Sequence, residues 1–360
     1  MAPAFRLRAD LDELPAYVPG ERPPAGAATF KLSSNENPYP PLPGVVAAVA
    51  DAAADLNRYP DMAATGLVAA LAERLGVGAD RVVVGNGSVA VLETLLRAAC
   101  VPGDEVVHAW RSFEAYPIAV RVAGARSVPV PLTADGRHDL DAMAEAVTPR
   151  TRAVLLCSPN NPTGPALHEA EVRAFLARVP REVLVVLDEA YVEFVRDPDV
   201  VDGLALVADH KNVVLLRTFS KAYGLAGLRV GYAVARPRLV RGLRAVSTPF
   251  GVNALAQVAA RVSLRAEDAL AERVEHIVAE RGRVLAALAE QGWTVPDAQG
   301  NFVWLPLGRR ALAFAQEAAR EGVLVRGFAG DGVRVSIGDH EANDAFLAVA
   351  GAWRQQAALR

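Results

Sequence analysis

Short runs of apolar residues alternate with segments of helical periodicity along the first two thirds of the chain. Most of these runs are apolar at consecutive positions rather than at every second position. Continuous apolar runs are typical of parallel strands whose two faces are both covered by helices. We therefore predict seven strands, at residues 81–85, 105–110, 127–132, 153–157, 184–188, 213–217 and 229–235.

The hydrophobic pattern changes at about residue 236. A helical region rich in Arg and Glu runs from Asn253 to about Gln291, and an interruption is expected near Gly282. The remaining predicted elements are strands at 301–305 and 323–326, which we expect to pair, a strand at 333–337 and a closing helix from 341.

These two patterns predict the fold class and the domain organisation. The first is typical of an α/β domain with a mostly parallel seven-stranded sheet between helices, and the second of a smaller α+β domain. The predicted division is an N-terminal arm at 1–27, a large domain at 28–250 and a small C-terminal domain at 251–360.

Composition excludes several classes of partner. The chain has 360 residues, of which 52% are hydrophobic, and its net charge of −3 comes from interspersed acidic and basic residues. This distribution offers no basic surface for nucleic acid and no polybasic or spanning segment for a membrane. The first 15 residues carry charges where a signal peptide needs apolar ones, so we expect a cytoplasmic protein. In that reducing compartment Cys100 and Cys157 should be buried free thiols, and the six scattered His residues predict no metal site.

The segment VVVGNGSVAVLETLL at 82–96 reads as a strand, a Gly-rich turn and a helix. Its glycines match the looser form of the dinucleotide-binding fingerprint. That fingerprint also needs an acidic residue at the end of the next strand, which here ends in His-Ala-Trp, so a nicotinamide oxidoreductase is a weak alternative. The backbone N–H groups of Ser88 and Val89, at the start of the helix, are instead predicted to bind a single phosphate. A tight turn without a ligand is the other alternative.

A second group of anion-binding residues lies in the segment LRTFSKAYGLAGLRVGY at 216–232. Thr218 and Ser220 carry hydroxyls, and Arg229 lies at the start of the next predicted strand. Glycines between them let the chain turn back, which brings Arg229 beside Ser220. Two hydroxyls, a guanidinium and a helix N-terminus make a complete site for one phosphate monoester.

Lys221 lies within the same segment, and Lys is rare in this chain. Only three of the 38 basic residues are Lys. Unlike Arg, a Lys can lose its proton when it is desolvated or lies beside another cation, and it then becomes a nucleophile. A neutral Lys beside a phosphate site predicts a Schiff base with pyridoxal phosphate. The alternative is an ordinary surface ammonium.

Three further residues favour pyridoxal phosphate over that alternative. Asp188 ends a predicted strand, where ligands bind in open α/β sheets, and its carboxylate can keep the ring nitrogen of the cofactor protonated. Tyr191, in DEAY, and Asn161, in SPNNPTG, can donate hydrogen bonds to the phenolic oxygen. Each residue alone could be a helix cap, a core Tyr or a turn Asn. Together they provide each interaction that the cofactor requires.

The segments SPNNPTG, DEAYVEF and TFSKAYGLAGLRVGY resemble those of fold-type I aminotransferases, specifically the histidinol-phosphate aminotransferase group. KLSSNENPYP at 31–40, RYPD at 58–61 and VRVSIG at 333–338 extend the resemblance over nearly the whole chain. The resemblance implies the fold-type I architecture, a pyridoxal phosphate cofactor and an obligate homodimer.

The resemblance also implies a role for individual residues. Lys221 would carry the cofactor and move a proton between the substrate and the cofactor. Asp188 would pair with the ring nitrogen, Asn161 and Tyr191 with the phenolic oxygen, and Arg334 would bind the substrate carboxylate. The other implied contacts are with the phosphate (Ser88, Val89, Thr218, Ser220 and Arg229), the ring face (Phe113), the phosphate of the neighbouring subunit's cofactor (Tyr59) and the substrate (Asn161, Arg326, Tyr17 and Asn35).

Two departures from the usual histidinol-phosphate pattern bear on the substrate. Val89 and Ala90 follow the phosphate-binding Ser where that group often has an Asp-Glu pair, and Phe113 stands where Tyr is common. These segments, with TPFGVN at 248–253 and GNFVWLPLG at 300–308, resemble the actinobacterial branch that acts on aromatic amino acids. That resemblance implies amino transfer between aromatic amino acids or 2-oxo acids and glutamate or 2-oxoglutarate.

Histidinol phosphate is the alternative substrate, because its phosphate favours two convergent arginines, which Arg326 and Arg334 could provide. Glutamate also needs a site for its side-chain carboxylate, so Arg326 does not decide between the two substrates. A decarboxylase or lyase stays open, since the reaction depends on which Cα bond is perpendicular to the ring. A catalytically inactive, regulator-like module is disfavoured, because Lys221 is present and no DNA-binding segment is seen.

Overall fold

The computed structural model describes residues 29–358, and the predicted arm at 1–27 lies outside them. The strands are β1 (Phe30–Lys31), β2 (Val82–Gly85), β3 (Glu105–Trp110), β4 (Arg126–Pro131), β5 (Thr151–Cys157), β6 (Leu184–Asp188), β7 (Val213–Thr218), β8 (Gly231–Val234), β9 (Phe302–Leu305), β10 (Val323–Leu324), β11 (Arg326–Phe328) and β12 (Gly332–Ser336). The helices are α1 (Val45–Ala52), α2 (Thr65–Leu75), α3 (Ser88–Ala99), α4 (Ala115–Val122), α5 (Leu140–Glu145), α6 (Glu169–Arg178), α7 (Gly203–Asp209), α8 (Pro237–Val246), α9 (Ala254–Arg265), α10 (Glu267–Glu290), α11 (Ala311–Arg320) and α12 (His340–Ala358).

Seven strands form the central sheet, in the order β2-β8-β7-β6-β5-β3-β4. The five strands β4, β3, β5, β6 and β7 run parallel to one another, and β8 runs antiparallel to both β2 and β7. The predicted mostly parallel, seven-stranded sheet is therefore confirmed. Each of its predicted strands lies within about two residues of the observed bounds, which is the usual uncertainty of an element's ends.

Helices cover both faces of this sheet, and β5 shows why its sequence is apolar at consecutive positions. Val154 and Leu156 belong to the core on one face, together with Phe175 of α6. Ala153 and Leu155 belong to the core on the other face, with residues of α3 and α4. Because side chains alternate between the faces of a strand, both sets must be apolar. Burying each Val or Leu stabilises the fold by roughly 1.5–3 kcal/mol. Replacing Val154 or Leu155 with a charged residue would therefore be strongly destabilising.

The small domain contains an antiparallel sheet in the order β11-β12-β9, against which α10, α11 and α12 pack. The expected pairing of 301–305 with 323–326 is wrong. β9 pairs with β12, whereas β10 pairs in parallel with β1. Arg326 begins the separate strand β11 and stands directly opposite Arg334 of β12. The two arginines predicted to contact substrate are therefore neighbours across one antiparallel pair.

The break in the long helical region lies at Ala266, between α9 and α10, and the prediction of a break near Gly282 is wrong. A Gly within a helix lowers its stability by about 1 kcal/mol relative to Ala, but does not by itself end the helix. Here the flanking Arg281 and Val284 are buried, so tertiary packing holds this part of α10 in helical form.

The predicted domain division at residue 250 stays a prediction, but the packing favours a later boundary. α9 buries Ala256 and Leu264 in the core of the large domain. α10 instead buries Ile277 and Leu288 in the core of the small domain. The change from one core to the other thus falls between α9 and α10.

Residues 29–358 contain no helix that is both long and apolar enough to cross a membrane. The same range contains no group of three or more His, Cys, Asp or Glu side chains that could hold a metal ion. Cys100 and Cys157 are buried free thiols, as predicted.

Candidate active site

A cavity of about 410 Å³ lies at the carboxyl ends of the central parallel strands. The register of the sheet aligns Cys157, Asp188 and Leu216 side by side, so the segments that follow them reach the same place. Most residues singled out from the sequence line this cavity, namely Ser88, Val89, Phe113, Asn161, Asp188, Tyr191, Thr218, Ser220, Lys221, Arg229, Arg326 and Arg334.

The N-terminus of α3 forms one end of the cavity. Its N-cap residue, Gly87, has a φ of 84° and provides no side-chain cap, so the first N–H groups of the helix are not used by a capping side chain. A Cβ added to Gly87 would lie 2.5 Å from a guanidinium nitrogen of Arg229. A Cβ added to Gly231 would lie 2.3 Å from the backbone nitrogen of Ser88. Glycine at both positions therefore lets the helix N-terminus, β8 and Arg229 approach one another.

Arg229 and two hydroxyls complete this end of the cavity. Arg229 Nη1 donates to Ser220 Oγ at 3.3 Å, and the Ser220 backbone N–H donates to Thr218 Oγ1 at 3.1 Å. Arg229 has a φ of 60°, in the left-handed region that non-glycine residues rarely adopt. Strained backbone of this kind clusters at ligand-binding sites. A guanidinium, two hydroxyls and a helix N-terminus converge here, which is the donor set of a phosphate site.

Lys221 lies beside this anion site. Its Nζ donates to the backbone carbonyl oxygens of Ser34 and Asn35, at 3.2 and 3.3 Å. Burial, reinforced by the positive charges of Arg334 and Arg229, lowers the pKa of Lys221 to about 7. A large fraction of the amine is therefore neutral near pH 7, which both a nucleophile and a proton acceptor require.

The two carboxylate oxygens of Asp188 differ in their surroundings. Its Oδ2 accepts a hydrogen bond from Tyr116 Oη at 2.8 Å. Its Oδ1 is buried and makes no hydrogen bond of normal geometry with any residue in 29–358. Burial raises the pKa of Asp188 to about 6, although the Tyr116 hydroxyl opposes this shift. A buried, unpaired carboxylate oxygen at a cavity wall is matched by a ligand that donates a hydrogen bond and carries positive charge.

Tyr116 and Glu114 are functional candidates that the sequence did not identify. Nothing in an isolated sequence pairs Tyr116 with an Asp that lies 72 positions later. Glu114 lines the cavity and forms an ion pair with Arg326, again across a long separation in the chain. One available signal was position, because both residues follow the carboxyl end of β3, at the same sheet edge as Asp188.

Asn35 lies behind the cavity wall. It is fully buried, and its Nδ2 donates to Tyr191 Oη at 3.0 Å. Its backbone N–H donates to Ser336 Oγ at 2.7 Å, which ties the segment after β1 to the small domain. Burial raises the pKa of Tyr191, so its hydroxyl stays protonated and can donate a hydrogen bond of its own. The structure thus gives Asn35 a place beside Tyr191 and Lys221 and not on the lining of the cavity.

Two arginines of the small domain face the large domain across the cavity. Arg334 is 8% exposed and donates to Asn161 Oδ1 at 2.6 Å and to the Ser33 carbonyl at 2.7 Å. Arg326 donates to the Glu114 carboxylate at 2.9 Å. A guanidinium can bind a carboxylate through two parallel hydrogen bonds, so each arginine is suited to an anionic group of a substrate.

Tyr59 lies at the surface and not on the lining of the cavity. Tyr59 is 83% exposed, and its ring stacks on Phe250 with the centroids 4.5 Å apart. Tyr17 lies outside the described residues. The contact of Tyr59 with a neighbouring subunit stays a prediction.

Comparison with known proteins identifies a matching family model, similar sequences and similar solved structures. Residues 28–349 match the family model for aminotransferase class I and II. The chain is 58% identical to a protein from Streptomyces avermitilis named aromatic amino acid aminotransferase, with 98% of each chain covered. It is 57% identical to a protein of the same name from Thermobifida fusca, with 96% of each chain covered. A solved structure of histidinol-phosphate aminotransferase from Sinorhizobium meliloti, in complex with pyridoxal-5'-phosphate, has a TM-score of 0.83 and 29% identity, with 91% of each chain covered.

Proposed function

The chain belongs to the aminotransferase class I and II family, and from this premise we propose that it transfers amino groups between aromatic substrates and glutamate or 2-oxoglutarate, using pyridoxal phosphate. The observation that carries this proposal is the convergence of the Lys221 amine, the Asp188 carboxylate and a phosphate-type anion site in one cavity. The aromatic preference is supported by two relatives, 58% and 57% identical, whose names specify aromatic amino acids.

The residues present fit pyridoxal phosphate. The unpaired Oδ1 of Asp188 needs a cationic hydrogen-bond donor, and a protonated ring nitrogen is such a donor. The N-terminus of α3 and Arg229 would hold the phosphate, together with the hydroxyls beside them. Asn161 and Tyr191 would bind the phenolic oxygen, and Phe113 would lie against the ring. A cavity of about 410 Å³ also falls within the usual size of a site for a small cofactor and substrate.

Lys221 has two roles in the proposed reaction. When bound, the cofactor supplies a ring that accepts the electron pair left behind as the substrate loses its α-proton. The neutral amine of Lys221 would hold the cofactor through a covalent link and, when released from that link, would move the α-proton from the substrate to the cofactor. A proton acceptor works best when its pKa lies near the working pH, and the pKa of Lys221 is about 7.

Arg334 is the proposed ligand of the substrate carboxylate. It contacts Asn161, and it lies close enough to Lys221 for its positive charge to lower the pKa of that amine. For an aromatic side chain, Phe113, Ile118 and Phe328 offer apolar surface on the same cavity. One observation favours histidinol phosphate as the second candidate: two arginines stand opposite each other on β11 and β12, as binding of a phosphate would favour.

The two candidate substrates can be separated by steady-state kinetics. We expect kcat/KM for phenylpyruvate with glutamate to exceed kcat/KM for histidinol phosphate with 2-oxoglutarate by at least about tenfold. The physical reason is that a phosphate dianion would meet the Glu114 carboxylate already paired with Arg326. A clear preference for histidinol phosphate would reverse the substrate assignment.

We also propose an obligate homodimer in which Tyr59 reaches the phosphate of the cofactor in the neighbouring subunit. The support is a group of exposed apolar side chains around Tyr59. Leu56 is 62% exposed, Met62 64% and Phe250 39%. Several large apolar side chains exposed in one short region are typical of a protein–protein interface.

Hybrid dimers test this arrangement. Tyr59→Phe should weaken cofactor retention by roughly threefold to tenfold, the value of one hydrogen bond. A hybrid of a Lys221→Ala subunit and a Tyr59→Phe subunit should retain cofactor normally at its single intact Lys221 site, since that site receives Tyr59 from the other subunit. A hybrid of a wild-type subunit and a subunit with both substitutions should show the defect. The reverse result would place Tyr59 at the site of its own subunit.

The proposed location is the cytoplasm. Cys100 and Cys157 are buried free thiols, and burial raises their pKa values to about 11 and about 12. Both therefore stay in the unreactive thiol form, and reduced thiols are the normal state in a reducing compartment.

A further inference from the structure

An ion pair joins the two domains at the wall of the cavity. Arg326 Nη2, on β11 of the small domain, lies 2.9 and 3.2 Å from the two carboxylate oxygens of Glu114, which immediately precedes α4 of the large domain. The side chains are 12% and 27% exposed, and both residues line the cavity. The pair is therefore part of the space in which substrate binds.

Aromatic and aliphatic side chains lie beside this pair, together with the guanidinium groups of Arg111 and Arg334. The Arg326 guanidinium lies 5.4 Å from the ring centroid of Phe328, and Phe113 and Ile118 line the same cavity. At 12% exposure the Arg326 charge is poorly solvated, so the absence of a nearby negative charge would be costly. When an aromatic side chain fills this space, it provides no negative charge, and the Glu114 carboxylate remains in place to neutralise Arg326.

A dicarboxylic substrate creates the opposite situation. Glutamate and 2-oxoglutarate carry a second carboxylate at the far end, and Arg326 is a cation suited to receive it. Glu114 already occupies that cation, and two carboxylates on one guanidinium repel each other in a partly desolvated site. The substrate carboxylate must therefore displace Glu114 or share Arg326 at a cost.

Resting on the proposed function, we propose that Glu114 is a specificity-determining residue. It supplies the counter-charge of Arg326 when the substrate is aromatic and competes for Arg326 with the distal carboxylate of a dicarboxylic substrate. Loss of the Glu114 charge should thus favour dicarboxylic over aromatic ligands.

A second ion pair in the protein provides a matched control. Arg111, in the loop after β3, donates to Asp331 Oδ2 at 2.6 and 2.8 Å, and Asp331 lies in the turn between β11 and β12. This pair also joins the two domains near the cavity, but neither residue is among those that line it. Asp331→Asn therefore removes an interdomain ion pair without changing the charge that a substrate meets.

The experiment measures binding of two unreactive ligands to the holoenzyme through the absorbance of the bound cofactor. Glutarate represents the dicarboxylic class and 3-phenylpropionate the aromatic class. Glu114→Gln should tighten glutarate binding by about threefold to tenfold and leave 3-phenylpropionate unchanged or weaker. Asp331→Asn should change both Kd values by the same factor. Steady-state KM values for glutamate and phenylalanine should follow the same pattern.

A double-mutant cycle separates competition from a merely structural effect. In an Arg326→Gln background, Glu114→Gln should no longer affect the glutarate Kd, because the cation for which the carboxylates compete is gone. Equal changes for both ligands, weaker glutarate binding, or a persistent Glu114 effect without Arg326 would each overturn the proposal. Glu114→Asp, which keeps the charge but shortens the side chain, is the second variant and should shift the Kd ratio in the same direction.

The outcome does not depend on the aromatic assignment. If the wild-type enzyme fails to convert phenylalanine, the proposed function is wrong, whereas the ratio of the two Kd values still decides the role of Glu114. If phenylalanine is converted and the Kd ratio does not move in Glu114→Gln or Glu114→Asp, the proposed function stands and the role of Glu114 is rejected.

Discussion

Lys221→Ala is expected to abolish transamination, lowering kcat by at least about 10³-fold. The substitution removes both the covalent link to the cofactor and the acceptor of the substrate α-proton. The chain's other two Lys residues cannot replace it, because Lys31 is paired with Glu36 and Lys211 is exposed at the surface. Neighbouring Arg334 and Arg229 carry guanidinium groups, which do not act as nucleophiles in proteins.

Absorbance and single-turnover measurements check this expectation. The purified wild-type protein should be yellow, and the variant should lose the absorbance band of Lys-bound cofactor while keeping its far-ultraviolet circular dichroism. Lys211→Ala is the matched control, since it removes an exposed Lys and should leave both band and rate unchanged. Full activity of the Lys221→Ala variant with an unchanged band would exclude the assignment.

The pH dependence of the stability of the cofactor-free protein tests the lowered pKa of Lys221 independently of activity. The pKa of Lys221 is about 7 in the folded protein and higher in the unfolded chain, so the unfolded chain binds the proton more tightly. Lys221 therefore disfavours folding at pH 7, and this penalty decreases as pH rises toward the unfolded pKa. The melting temperature of Lys221→Ala relative to wild type should be highest at pH 7 and below, and should fall between pH 7 and pH 10.

The central sheet and the strand-end residues could be predicted from the sequence because each depends on a local pattern. A strand buried on both faces is apolar at every position, and an isolated acid at its end, such as Asp188, stands out against that run. Lys221 stood out for a similar reason, as a rare residue between a strand and a Gly-rich turn. These local signals sufficed to place the anion site and the amine in one cavity.

Other features depend on contacts that no local pattern encodes. Tyr116 occupies an apolar helix position, and its hydroxyl has a role only because α4 lies beside the end of β6. Asn35 reads as a polar loop residue, yet it is fully buried against Tyr191. The two-residue strand β10 is too short to show a period, so its pairing with β1 instead of β9 could not be deduced. Long-range packing decides each of these cases.

Asp188→Asn should lower kcat by at least about 10²-fold while leaving the fold intact. The carboxylate is the buried negative charge that stabilises a protonated ring nitrogen, and an amide keeps the shape but not the charge. The Oδ1 atom that is now unpaired within residues 29–358 would become a neutral oxygen or an amide nitrogen. Single-turnover absorbance with phenylalanine measures the effect, and a wild-type rate would show that Asp188 does not have this role.

Tyr116→Phe tests the same carboxylate with a smaller change than Asp188→Asn. It removes the hydrogen bond to Asp188 Oδ2, 2.8 Å long, but keeps the charge, so we expect kcat to fall by roughly tenfold, less than for Asp188→Asn. Because the Tyr116 hydroxyl lowers the pKa of Asp188, its loss should raise that pKa further. The ring nitrogen would then be less well stabilised in its protonated form, and the pH dependence of the cofactor absorbance should shift accordingly. A purely structural role of Tyr116 would lower the melting temperature without moving that pH profile, which distinguishes the two explanations.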